Sequence, residues 1–107
     1  MIRHVVMVRF TDDMTDEQKE SLRAGLGRLP DLIPVIRAYR FGDDAGLNEG
    51  NYDFVVTADF DDADGYLAYR DHPDHKKLVT ELLAPFVADR AAVQFEWPAA
   101  LPPDLPG

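Results

Sequence analysis

The sequence contains no cysteine. This absence excludes a disulfide scaffold, a cysteine nucleophile, a zinc ribbon and an iron–sulfur site. Basic residues are also scarce, because 11 Lys+Arg stand against 20 Asp+Glu, and the formal net charge is -9. The basic residues are scattered along the chain instead of forming a patch. Such a chain repels phosphate backbones and anionic membranes, so we expect neither a nucleic-acid nor a membrane partner.

Long hydrophobic runs are missing as well. No apolar stretch approaches the roughly 18 residues of a membrane span. The N-terminus lacks the basic segment and apolar stretch of a secretory signal, so a cytoplasmic location is predicted. Ser21 is the sole serine and lies within a helical pattern, which leaves no nucleophile elbow. Phosphate-binding, flavin and dinucleotide fingerprints are also absent, and no cofactor is expected.

What the sequence does contain is enough apolar residue for one small globular domain, since 46% of its 107 residues are hydrophobic. A capping box at Thr15 and Gln18 starts the first helix, and we expect Pro30 to end it. Asp62 caps a second helix, whose apolar stripe extends to Phe86 and Val87. The predicted order is β-α-β-β-α-β, with strands at residues 2–10, about 35–41, 52–60 and about 91–97, and with the second helix interrupted at residues 72–73.

This order predicts an α+β, ferredoxin-like fold, a four-stranded antiparallel sheet with helices on one face. The domain is expected to cover residues 1–97, followed by a proline-rich tail at residues 98–107. The other sheet face stays uncovered by helices, and we expect it to carry Val5, Met7, Val55 and Ala92. A face so apolar predicts that two copies pair face to face as a homodimer.

The segment from Tyr69 to His75 carries the most chemistry. Histidine is the usual general acid or base near neutral pH, and a tyrosine hydroxyl can donate to a carbonyl oxygen that becomes an enolate. His4 lies on the strand face that packs against the helices, where a polar group needs a partner or a pocket. The alternative is structural: His72 caps a helix, His75 fills space, and His4 bonds a backbone carbonyl.

A metal site is a weaker interpretation of the same residues. His4, His72 and His75 include ligand types that bind transition metals, but two of them flank a helix start. The acidic segment at residues 60–65 superficially matches a calcium loop. However, Phe60 would occupy its first ligand position and Asp71 its final glutamate position, which rejects an EF-hand. We therefore expect no metal.

Four segments of the sequence resemble the Dabb family, the stress-responsive dimeric α+β barrel domains. They are Ile2-Arg3-His4-Val5-Val6, the prolines and apolar residues at positions 29–34, the segment at residues 69–75, and Val93-Gln94-Phe95-Glu96. The resemblance covers about residues 1–97. It implies a homodimer in which the two sheets close into one barrel.

Within that family, the sequence is similar to the olivetolic acid cyclase-like branch, whose members cyclise polyketides without a cofactor. The resemblance implies that His75 is a catalytic base that removes a proton alpha to a carbonyl, and that Tyr69 is its catalytic partner. It further implies substrate contacts from His4, and we expect His72 and Tyr66 to contribute to the same pocket. The substrate would be a hydrophobic, carbonyl-bearing, polyketide-like molecule. A stress-response or ligand-binding protein without chemistry, and a cofactor-independent monooxygenase, remain alternatives.

Overall fold

A computed structural model describes residues 1–98 of the chain. Most of the predicted proline-rich tail, residues 99–107, lies outside the described residues. The strands and helices are β1 Ile2–Phe10, α1 Asp16–Leu32, β2 Ala38–Asp43, β3 Phe54–Phe60, α2 Ala63–Asp71, α3 Pro73–Leu78, a π-helical turn Val79–Leu83, a 3-10 turn Ala84–Phe86 and β4 Val87–Glu96. This order confirms the predicted ferredoxin-like α+β fold.

The four strands form one antiparallel sheet in the order β2-β3-β1-β4. Because side chains alternate across a strand, the register decides which residues share a face. His4 in the middle of β1 lies opposite Ala58 of β3 on one side and Gln94 of β4 on the other. Val8 lies in the same way between Phe54 and Arg90. All of these side chains therefore project toward the helices.

The first helix begins as predicted and ends later than predicted. Thr15 accepts a hydrogen bond from the Gln18 backbone N–H at 3.1 Å, and the Gln18 side chain accepts one from the Thr15 N–H at 2.8 Å. The expectation that Pro30 stops the helix is wrong, because α1 continues to Leu32. In the last turn a proline removes only one N–H donor, and the Ile33 N–H still closes the helix on the Leu29 carbonyl at 2.9 Å.

The second helical region is more broken than predicted. Asp62 caps α2 and His72 caps α3, but α3 ends at Leu78 and is followed by the π-helical and 3-10 turns. Val87, expected on the helix, begins β4. Pro85 supplies the physical reason, since it lacks the N–H that a continuous helix would need and occupies the start of the 3-10 turn instead.

Two strands begin later than predicted and one begins earlier. β2 begins at residue 38 and not near 35, because a turn bond from the Ile36 N–H to the Ile33 carbonyl, 3.2 Å long, precedes it. β3 begins at residue 54 and not 52, whereas β4 already begins at residue 87. The longer β4 pairs along the whole length of β1.

The sheet face opposite the helices is apolar, as predicted, but one of its residues was misplaced. Met7, Val93 and Phe95 lie on this face and are 38%, 54% and 43% exposed. Ala92, expected there, pairs with Val6 and faces the helices instead. The residue opposite Val5 is Val93, so the odd-numbered positions of β4 from residue 89 to residue 95 form the open face.

The hydrophobic core fills the space between the helices and the sheet. Leu22, Leu29, Ile33 and Phe60 are fully buried there. Gly25 of α1 allows close contact with the second helical region, because a Cβ at that position would lie 3.0 Å from methyl carbons of Leu78 and Leu82. Within residues 1–98, no helix is both long and apolar enough to cross a bilayer.

Candidate functional site

A cavity of about 470 Å³ lies between the sheet and the helical layer. Its size falls within the range of about 300–1,000 Å³ that small-molecule sites occupy. All four strands contribute residues to the floor, while α1, α2, α3 and the two turns after α3 supply the walls. Its apolar lining includes Val6, Val56, Leu26, Leu78, Val79 and Leu83.

Four of the five residues singled out from the sequence line this cavity, namely His4, Tyr66, Tyr69 and His75. Their rings are in mutual contact. The ring centroids of Tyr69 and His75 are 4.2 Å apart, and those of His4 and Tyr66 are 5.0 Å apart. The fold thus brings together a first-strand residue and a segment more than sixty positions later in the chain.

His72 is not part of this group. It is absent from the described cavity lining, and its Nδ1 accepts a hydrogen bond from the Asp74 backbone N–H at 3.1 Å. It therefore caps α3, one of the structural roles considered from the sequence.

His75 is held in one tautomer when it is neutral. Its Nδ1–H donates to the Arg70 backbone carbonyl at 3.1 Å, so the lone pair lies on Nε2. Burial lowers the pKa of His75, the Arg70 carbonyl opposes this shift, and the charge of His72 adds to it. The imidazole is therefore neutral at physiological pH and can accept a proton at Nε2.

Tyr69 has a partner that the sequence analysis missed. The hydroxyl oxygens of Tyr69 and Tyr39 are 2.8 Å apart, and either can donate to the other. Burial raises the pKa of Tyr69 to about 12, against a lowering by the Tyr39 hydrogen bond. Burial also raises the pKa of Tyr39. Both hydroxyls stay protonated near neutral pH, and the one that accepts within the pair keeps its own O–H for a ligand oxygen.

His4 is a buried neutral donor. It is 5% exposed, and the Gln94 side-chain amide donates to its Nδ1 at 2.9 Å, which leaves the proton of the neutral ring on Nε2. Burial, followed by the charges of Arg90 and His75, lowers the pKa of His4 to about 4. Its partner is thus a side chain from β4, not the backbone carbonyl considered as an alternative.

Two arginines also line the cavity, and neither was singled out from the sequence. Arg70 forms a two-point ion pair with the adjacent Asp71, with nitrogen–oxygen distances of 2.9 and 3.1 Å. Arg90 is exposed on the edge strand β4, where the cavity meets solvent. The alternation of β4 could have placed Arg90 opposite Val8, on the same sheet face as His4, had the register with β1 been known.

Over the described part of the chain, no three His, Asp or Glu side chains lie close enough together to hold a metal ion. The chemistry available from the described side chains is acid–base chemistry, with a basic nitrogen at His75 and hydrogen-bond donors at the tyrosine pair and His4.

Comparison with known proteins identifies the fold and the family. The profile of the family described as Stress responsive A/B Barrel Domain, Dabb, matches residues 2–97. The stress-response A/B barrel domain-containing protein HS1 of Arabidopsis thaliana is 28% identical over 85 residues, which cover 77% of each chain. Olivetolic acid cyclase of Cannabis sativa is 26% identical over 76 residues, which cover 69% of this chain and 75% of the cyclase.

A solved structure is more similar in sequence than either of these relatives. A dimeric ferredoxin-like protein of unknown function from Thermobifida fusca is 49% identical, with a TM-score of 0.81 and 88% of each chain covered.

Proposed function

This chain belongs to the stress-responsive A/B barrel (Dabb) family, and we propose that it is a cofactor-independent enzyme of the cyclase or lyase class. Its substrate would be a hydrophobic, carbonyl-bearing small molecule bound in the cavity between sheet and helices. The observation that carries the proposal is the contact between His75 and Tyr69, which places a basic nitrogen beside a protonated hydroxyl pair. The 26% identity to olivetolic acid cyclase supports the same class of reaction.

The proposed reaction begins with proton abstraction. Nε2 of His75 takes a proton from the carbon alpha to a carbonyl. The electron pair of that C–H bond becomes the C=C bond of the enolate, and the π pair of the carbonyl moves onto its oxygen. The hydroxyl pair of Tyr69 and Tyr39 donates to this enolate oxygen, and stabilisation of developing charge is often the largest contribution to catalysis. In a cyclase, the enolate carbon then attacks a second carbonyl of the same molecule, and the His75 imidazolium returns its proton to the new alkoxide.

The apolar lining supports a hydrophobic substrate. Water that is excluded from the cavity cannot compete for the hydroxyl donors, so their hydrogen bonds to an enolate are stronger than in solvent. The donors and the base also match the two requirements of the reaction, which are stabilisation of the enolate oxygen and removal of the alpha proton. Donors at Tyr69 and His4 suit carbonyl oxygens, and the lone pair of His75 suits the acidic C–H bond between them.

We further propose that two copies of the chain associate through the open face of the sheet. Met7, Val93 and Phe95 expose apolar surface on that face, and its burial against a second copy stabilises the pair. The Thermobifida fusca protein, described as dimeric, supports the same arrangement.

A binding protein without turnover is the second candidate. HS1, a relative at 28% identity, is named for stress response and not for a reaction. The polar groups of the cavity would then orient a ligand instead of transforming it. This candidate predicts saturable binding of the same molecules with no product.

The deciding experiment is an assay of the purified protein with a linear poly-β-keto thioester and with the corresponding poly-β-keto acid, followed by detection of the cyclised thioester or the cyclised acid. We expect turnover, and we expect His75→Ala to lower it by about 10²–10⁴-fold, the usual contribution of a general base. Tyr69→Phe removes a hydroxyl donor and should also lower turnover. Lys76→Ala is the matched control, since Lys76 is a neighbouring α3 residue outside the cavity lining.

The same assay separates the two candidates. Full activity in His75→Ala would contradict the proposed base. Binding by the wild-type protein with no conversion would favour the ligand-binding candidate.

A further inference from the structure

The charged side chains that line the cavity are positive, whereas the net charge of the whole chain is negative. The sequence has 20 acidic and 11 basic residues. The ionised side chains that line the cavity in the described structure are nevertheless two arginines, Arg70 and Arg90, and no Asp or Glu lines it. An apolar cavity in an acidic protein with only cationic groups at its wall favours an occupant that carries negative charge.

The two arginines differ in what they already bind. The guanidinium of Arg70 is occupied by Asp71. Arg90 has no comparable partner, because within residues 1–98 no carboxylate lies within the 4.0 Å limit of an ion pair with it. The adjacent Asp89 projects to the opposite face of β4, where the Tyr52 hydroxyl donates to it at 3.1 Å.

Arg90 is also placed to meet a ligand that reaches the polar groups inside. It lies opposite Val8 on the helix-facing side of the sheet. Along β4 it precedes Gln94, the partner of His4, by four residues, and Ala92 lies between them on the same face. Its positive charge contributes to the lowered pKa of His4, so its field extends into the cavity.

From this arrangement we propose that the site binds an apolar molecule that carries a carboxylate, and that Arg90 is the residue that pairs with this group where the cavity opens. The inference rests on the proposed function only in using the same cavity, and it narrows the substrate class to hydrophobic keto acids. A guanidinium recognises a carboxylate through two parallel N–H donors, which fixes orientation as well as charge. The carboxylate held at Arg90 would leave the apolar chain and the ketone to extend toward Tyr69 and His75.

The test compares an acid with its neutral ester. The probes are 4-oxodecanoate and its methyl ester, and binding is measured by isothermal titration calorimetry on the full chain. We expect the wild-type protein to bind the acid about tenfold more tightly than the ester, as one charge-assisted hydrogen-bonded pair provides. Arg90→Gln should remove that difference by weakening the acid and leaving the ester within about twofold.

Two controls keep the result specific. Arg28→Gln makes the same change in net charge on α1 outside the cavity lining, and should preserve the preference for the acid. If Arg90→Gln fails to fold, the wild-type protein still decides. Raising the salt from about 0.05 to about 0.5 M should weaken acid binding and not ester binding, because salt screens an exposed ion pair.

Equal affinity of the wild-type protein for acid and ester overturns the inference, as does an equal loss of both in Arg90→Gln. His75→Ala distinguishes this failure from failure of the proposed reaction. That variant should keep the preference for the acid even though its turnover is lowered, since the proposal places the carboxylate at Arg90 and not at His75.

Discussion

At the scale of single residues, the cavity is governed by protonation states that its surroundings set. His4 and His75 are both kept neutral by burial, while the Tyr39–Tyr69 pair is kept protonated. The sequence alone could predict His4, Tyr69 and His75 because each lies in a segment that resembles the family. Tyr66 could be predicted because it lies three residues before Tyr69 on the same helix face. The sequence could not predict Tyr39, because a tyrosine on an alternating strand reveals its partner only when the sheet register is known.

The lowered pKa of His4 makes stability depend on pH. In the unfolded chain a histidine titrates near about 6.5, whereas folded His4 titrates at about 4. Between these values the unfolded state binds more protons, so the free energy of unfolding falls as the pH drops from about 6.5 toward about 4 and changes little above that window. At about pH 4.5 the expected loss is about 2 kcal/mol.

Urea unfolding at about pH 7 and about pH 4.5 measures this loss. His4→Gln, which cannot titrate, provides the comparison. The pH dependence of the variant should be weaker than that of the wild-type protein by the His4 contribution. If the free energy of unfolding had the same pH dependence in both proteins, the predicted contribution of His4 would be contradicted.

At the scale of elements, the region between β3 and β4 is built from short pieces joined by caps. The spacing of Asp62, His72 and Pro73 predicted the division into α2 and α3, which the structure confirms. The π-helical turn that follows was not predictable, because its apolar residues have the spacing of an ordinary helix. Such turns are favoured by tertiary packing and often occur at functional sites, and here Val79 and Leu83 line the cavity.

The cap at His72 gives a prediction for this region. His72→Ala removes the acceptor for the Asp74 N–H and should lower the free energy of unfolding by about 1 kcal/mol. His72→Asn supplies a capping oxygen and should recover most of that loss. Urea midpoints of the three proteins test it, and equal losses in both variants would argue against a capping role.

At the scale of the whole molecule, one sheet serves two purposes. Its helix-facing side encloses the cavity, and its open side carries the apolar surface proposed for association. The open side also holds a charged pair that is already satisfied within the chain. Arg3 binds Asp59 through two hydrogen bonds of 2.8 and 3.0 Å, and the Trp97 indole N–H donates to the same carboxylate at 3.1 Å. This pair therefore needs no partner across an interface.

Association through this face predicts the effect of a charge placed on it. Val93→Glu should shift the protein from dimer to monomer, since a carboxylate buried without a partner is costly. Leu47→Glu is the matched control, because Leu47 is 84% exposed in the loop between β2 and β3. Sedimentation equilibrium distinguishes the two, and a dimeric Val93→Glu protein would place the association surface elsewhere.

The alternation of β1 and β4 has a consequence for how the protein can change. Over residues 2–9 of β1 and 89–96 of β4, the even-numbered residues, such as His4 and Gln94, face the cavity, and the odd-numbered residues, such as Val5 and Val93, face outward. The register shifts at Phe10, whose partner Val87 faces the cavity. Ligand preference therefore depends on the even-numbered positions of these segments, and self-association depends on the odd-numbered positions between them. Libraries that vary only the even positions can search for new substrates while the assembly stays constant, and libraries restricted to the odd positions can do the reverse.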